Sequence, residues 1–92
     1  MSETENIYVS GIVVHARPEN LSAVQSDLNL LPGVEVHATT GDGRIVVTVE
    51  KDDSAGMADA FVQIQNLKHV INASLVYQHS ESIDGSEAEM NS

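Results

Sequence analysis

Apolar and polar residues alternate on both sides of Gly41-Asp42-Gly43, with Val46 the one apolar residue on the polar side, and this pattern restricts the fold more than any other feature of the chain. Before the turn, Val34, Val36 and Ala38 fall on one side and Glu35, His37 and Thr39 on the other. After it, Ile45, Val47 and Val49 fall on one side and Arg44, Val46, Thr48 and Glu50 on the other. Successive side chains of a strand point to opposite faces, so each run is a strand with one apolar face. Two such runs around Gly-Asp-Gly make a β-hairpin. One face of that hairpin needs a cover, which the rest of the chain must supply.

The cover is predicted on both sides of the hairpin. Residues 7–15 (IYVSGIVVH) are rich in Ile and Val, too short for a typical helix, and read as a strand buried in part on both faces. Pro18 suits the first turn of a helix, where its missing N–H costs nothing. Leu21, Val24, Leu28 and Leu31 then recur on one helical face until Pro32-Gly33 stops the helix. After the hairpin, Asp52-Asp53-Ser54 supplies an N-cap. Met57, Phe61 and Ile64, flanked by Ala60 and Leu67, mark a second helix that ends near residues 66–69. Residues 71–78 (INASLVYQ) form a last strand. The order β-α-β-β-α-β with right-handed crossovers predicts an α+β, ferredoxin-like split βαβ sandwich. Its four antiparallel strands lie in the order 4-1-3-2, with two helices on one face and the other face open.

A chain of 92 residues has room for one such domain and no second core. Residues 1–6 and 80–92 hold six of the fourteen acids and show no hydrophobic periodicity, so both are expected to be disordered tails around a folded domain at 7–79. Arg17, Arg44, Lys51 and Lys68 are the only cations against a formal net charge of −10. A nucleic-acid binder replaces counterions with Lys and Arg, and four scattered cations cannot do so. The same deficit opposes anionic membranes, and a cationic partner is the natural complement. There is no Cys, hence no disulfide, thiol nucleophile or thiolate metal site. The N-terminus lacks the basic and apolar regions of a secretory signal, and no apolar run approaches the ~20 residues of a membrane span. A cytoplasmic location is expected.

Motifs for chemistry are mostly missing. His15 and His37 both fall on the open side, but strand 3 separates them by two strand spacings, about 9–10 Å, too far to share a metal. Gly41-Asp42-Gly43 leads into a strand, whereas a phosphate loop opens onto a helix N-terminus. Arg17 sits near the place of a phosphate-holding Arg in the acylphosphatases, yet the accompanying Gly-rich loop is missing. RNA-binding domains of this topology stack bases on aromatics of strands 1 and 3; here only Tyr8 is available. No catalytic residue, metal or cofactor is therefore expected.

What remains is the open sheet face. Strand 1 is expected to present Val9, Gly11, Val13 and His15 there, and strand 4 Ser74, Val76 and Gln78. The result is an apolar strip of Val9, Val13, Val46 and Val76 with Thr48 in its midst, rimmed by Glu35 and Glu50. Such a patch suits a peptide carrying both basic and apolar residues.

Four segments resemble the NapD proteins: VVHARPENL at 13–21, LPGVEV at 31–36, GRIVVTVE at 43–50 and ASLVYQH at 73–79. Length, tails and acidity match as well. The resemblance implies a small cytoplasmic chaperone for the catalytic subunit of periplasmic nitrate reductase. It also implies that the protein binds that subunit's twin-arginine signal peptide, keeping the precursor from the Tat translocase until the molybdenum cofactor is inserted. It carries over no catalytic residue. A free protein of this kind is expected to be monomeric, without affinity for nucleic acid or membrane. The rival reading is a small-molecule-binding or oligomerising regulatory domain of the amino-acid-sensing type, which shares the β-α-β-β-α-β order and the L-P-G-V stop.

Overall fold

Strand β1 (Glu5–Ala16) passes through a 3-10 turn at Pro18–Asn20 into helix α1 (Leu21–Leu30) in the computed structural model, which describes residues 5–83 and the side chains of residues 7–80. Strands β2 (Val34–Thr39) and β3 (Arg44–Lys51), helix α2 (Ser54–Gln65) and strand β4 (Val70–Ile83) complete the chain. Arg17, held extended by the proline that follows, ends β1 at φ −69° and ψ 145°. Val24 and Leu28 bury the inner stripe of α1, with Leu21 and Leu31 half-buried beside them. Helix α2 begins where the Gly56 N–H donates to Asp53 Oδ1 at 2.6 Å, and it buries Met57, Ala60 and Ile64.

The strands form one antiparallel sheet in the order β2-β3-β1-β4, the expected 4-1-3-2 order read from the opposite edge. The two central strands supply the floor of the core: Ile12, Val14, Ile45, Val47 and Val49 are no more than 1% exposed. They form one cluster with the buried residues of both helices. Gly43 closes the hairpin at φ 105°, where a Cβ would run into the Ala16 carbonyl oxygen. That close approach lets the Ala16 N–H donate to the Gly43 carbonyl at 2.8 Å, docking the hairpin end on β1.

Three register shifts correct the expected alternation, one of them at the end of β1, between His15 and Ala16, where Ile71 is left unpaired. Between β2 and β3 the register shifts after Val36, leaving His37 without a ladder partner. Ala38, expected on the core side, therefore stands opposite Val46, and Thr39 opposite the buried Ile45. Between β1 and β4 the register shifts between Gly11 and Ile12, and Val76 is the residue left unpaired. A bulge inserts one residue into one strand, so every position beyond it changes face. The paired strands also reach slightly past 7–79, with Glu5 opposite Ile83. The remainder of both expected tails, 1–4 and 84–92, lies outside the described residues. Among the described residues, no helix is long and apolar enough to cross a membrane.

Candidate functional site

The face turned away from the helices is built in cross-strand rows. Glu50 stands opposite Val9, and Val9 opposite His79. The next row runs Glu35, Thr48, Gly11, Tyr77, and the next Ala38, Val46, Val13, Ser74. Arg44, His15 and Asn72 form the last. Strand rise and spacing make the patch from Val9 to Val13 about 13 Å long, and one strand step, about 5 Å, separates Val13 from Val46. Val9, Val13 and Thr48 are half-buried, and Val46 is 39% exposed. The exposed carboxylates Glu35 and Glu50 are diagonal neighbours across β2 and β3, with Cβ atoms about 7–8 Å apart.

Six of the seven sequence-predicted site residues thus share this face: Val9, Val13, Glu35, Val46, Thr48 and Glu50. Val76 departs from the expectation. It is the bulge residue, 61% exposed, and the place across from Gly11 belongs to Tyr77. Gln78 likewise moves to the helix side, opposite the buried Ser10. The bulge brings in two rings that sequence reasoning missed. Tyr77 and His79 stack with centroids 6.0 Å apart and planes inclined by 22°. The Tyr77 ring lies where a side chain at Gly11 would project, since a Cβ built there would collide with it. Periodicity offers no warning, because Leu75, Val76 and Tyr77 are all apolar. The one available signal is Gly11 itself, a residue without a side chain inside an Ile- and Val-rich strand, which marks a close approach.

Charge and polar contacts on this face are local. The Arg44 guanidinium pairs with Asp42 at 3.2 Å, so the face's own cation is already engaged within the hairpin turn. Hydrogen bonds from Thr40 and then Arg44 hold the Asp42 carboxyl below the usual carboxylate range. His37 Nε2 and Thr48 Oγ1 are joined at 2.7 Å, which fixes the bulge side chain over β3. Among the described residues, no three His, Asp or Glu side chains gather closely enough to hold a metal ion.

A cleft of about 170 Å³ opens on the opposite side of the sheet, between α2 and β4. Ile12, Met57, Phe61 and Leu75 make it apolar, and the Ser10 hydroxyl donates to Met57 Sδ at 3.1 Å. Among the described residues no His, Asp or Glu lines it, so none of them is placed to activate that hydroxyl.

The sequence profile of the NapD protein family matches residues 7–82. The chain belongs to the NapD family. The protein named Chaperone NapD from Escherichia coli K12 is 34% identical over 77 residues, covering 83% of this chain and 88% of its own length. Chaperone NapD from Paracoccus pantotrophus is 29% identical over 86 residues, covering 94% of this chain and 76% of its own. The solution structure of the E. coli Tat proofreading chaperone protein NapD superposes with a TM-score of 0.74 at 33% identity, over 82% of this chain and 80% of that one. A Pyrococcus furiosus transcriptional regulator of the AsnC family has a TM-score of 0.62 at 24% identity, over 75% of this chain and 49% of its own; that likeness shows the shared fold alone. The relatives' names support a chaperone role and name no catalysed reaction.

Proposed function

We propose that the open sheet face binds the twin-arginine signal peptide of the periplasmic nitrate reductase catalytic subunit precursor. Bound there, the peptide is withheld from the Tat translocase in the cytoplasm until cofactor insertion is complete. The observation that carries the reading is the pairing of an apolar strip (Val9, Val13, Val46) with two diagonal carboxylates, Glu35 and Glu50. A twin-arginine signal presents the complementary elements, two adjacent cations beside an apolar stretch.

Each element contributes differently. Guanidinium groups fork onto carboxylates and set register and on-rate. Apolar burial adds on the order of 25 cal/mol per Å², from which ordering of the peptide subtracts. The formal net charge of −10 favours encounter with a cationic segment. No bond is made or broken: occupancy of the arginines lowers the concentration of free signal by mass action. The protein acts as a monomer in this scheme, one face per peptide.

Calorimetric titration of a synthetic signal peptide tests the reading. Glu35→Gln and Glu50→Gln should each weaken binding about two- to tenfold and reduce its salt dependence, as expected for partly screened charge pairs. Unchanged affinity in both variants rejects these carboxylates as the arginine anchors. The amino-acid-sensing alternative would instead show a stable sheet-to-sheet dimer that binds amino acids.

A further inference from the structure

We infer that the Tyr77 ring is a specificity platform that makes the open face prefer arginine to lysine. The inference rests on the peptide-binding reading above and assigns a residue to its discrimination step.

Three placements carry it. First, the ring is laid flat by its surroundings. Gly11 leaves the space, Tyr77 fills it, and Gly11 is buried as a result although it faces away from the helices. The His79 ring lies beside it, with centroids 6.0 Å apart and planes inclined by 22°. A ring braced on β1 and beside His79 offers its remaining surface to solvent, and Tyr77 is still 45% exposed. Second, the ring lies within the apolar strip, over Gly11 and between Val9 and Val13, with the acids on the strands beside it. Its row continues through Thr48 to Glu35, and Glu50 stands diagonally across from Gly11, about 7–8 Å between Cβ positions. Third, the bulge at Val76 creates this arrangement, because without the extra residue Val76 would stand opposite Gly11.

A planar cation fits this site better than a compact one. A guanidinium stacked on the ring keeps its in-plane N–H groups free to fork onto Glu50 at the side. A lysine ammonium can approach either the ring or the carboxylate, but it has no plane to stack and no fork to offer. Glu35 and Glu50 attract any cation, so charge alone does not separate arginine from lysine. The braced ring supplies the separation.

Two synthetic peptides provide the probe: the signal sequence with its arginine pair, and the same sequence with both arginines replaced by lysine. Wild type should bind the arginine peptide more tightly. Tyr77→Leu should weaken the arginine peptide about three- to thirtyfold and the lysine peptide by a clearly smaller factor, collapsing the ratio. Tyr77→Phe should keep most of the preference. An equal loss for both peptides in Tyr77→Leu makes the ring a general apolar contact and overturns the inference, as does no loss at all. If wild type binds neither peptide, the peptide-binding reading fails first and the platform with it. Ring-proton resonances give a readout that needs no variant at position 77. The chain has only two tyrosines, so Tyr8→Phe assigns the signals. The Tyr77 ring signals should shift further with the arginine peptide than with the lysine peptide, and equal shifts overturn the inference.

Discussion

Strands β1 and β3 show two opposite solutions on their two faces. Towards the helices they present Ile12, Val14, Ile45, Val47 and Val49, all sealed from solvent in one cluster. On the other side the same two strands present Val9, Gly11, Val13, Val46, Thr48 and Glu50, none packed beneath a helix. The inner face is uniform, and close packing there makes each methyl group count towards stability. The outer face is mixed, with apolar, acidic, aromatic and vacant positions in neighbouring rows. One pair of strands thus separates a packed face from an open one by the parity of residue number.

This contrast can be broken from either side. The largest effect is expected inside. Ile45→Ala should cost about 2–5 kcal/mol of unfolding free energy in urea titration, while signal-peptide affinity of the folded protein stays within about twofold. A parallel collapse of affinity would mean that the faces are not independent. An intermediate effect is expected outside. Val46→Ser, at a site 39% exposed, should change stability by less than about 1 kcal/mol yet weaken peptide binding about three- to tenfold in calorimetry. The smallest effect is at the hairpin turn. The Asp42 carboxyl is held low in the folded state by Thr40 and Arg44, so it binds fewer protons there than in the unfolded chain. Its contribution is then complete above the ordinary carboxylate range and is lost as pH falls through the lowered folded value. The urea midpoint of wild type should exceed that of Asp42→Asn at neutral pH, and the gap should close in strong acid.

The inner face was readable from the chain and the outer face only in part. Ile45, Val47 and Val49 alternate with polar neighbours, and a one-residue slip would expose all three, so the β3 register is strongly determined. Helix starts at Pro18 and Asp53 have local chemical causes, and strand order follows from handedness and the hairpin. The bulges have no comparable signature. Around Val76 the neighbours are apolar on both sides, so either register buries similar area, and the choice falls to the pairing with β1. The bulge at His37 lacks a signature for a related reason: Ala38 is small enough to be tolerated on either face. Regular alternation puts Val76 and Gln78 on the open face, whereas the bulge puts Tyr77 there, over Gly11, whose absent side chain makes room for it. The polar Asn6, Glu81 and Ser82 hide the ends of β1 and β4 in the sequence, although they pair through their backbones.

Strand β1 lies in the middle of the sheet but comes first along the chain, and both of its neighbours follow much later. The ladder to β4 joins Glu5 to Ile83, so nearly the full length must be looped back before it closes. Loop-closure entropy grows only slowly with length, yet such distant pairings slow the search for the native arrangement. On the ribosome, β1 therefore waits without a partner until the hairpin has emerged, and the sheet is finished only when β4 has followed. The open face is completed in that last step, because Tyr77 and His79 arrive only with β4.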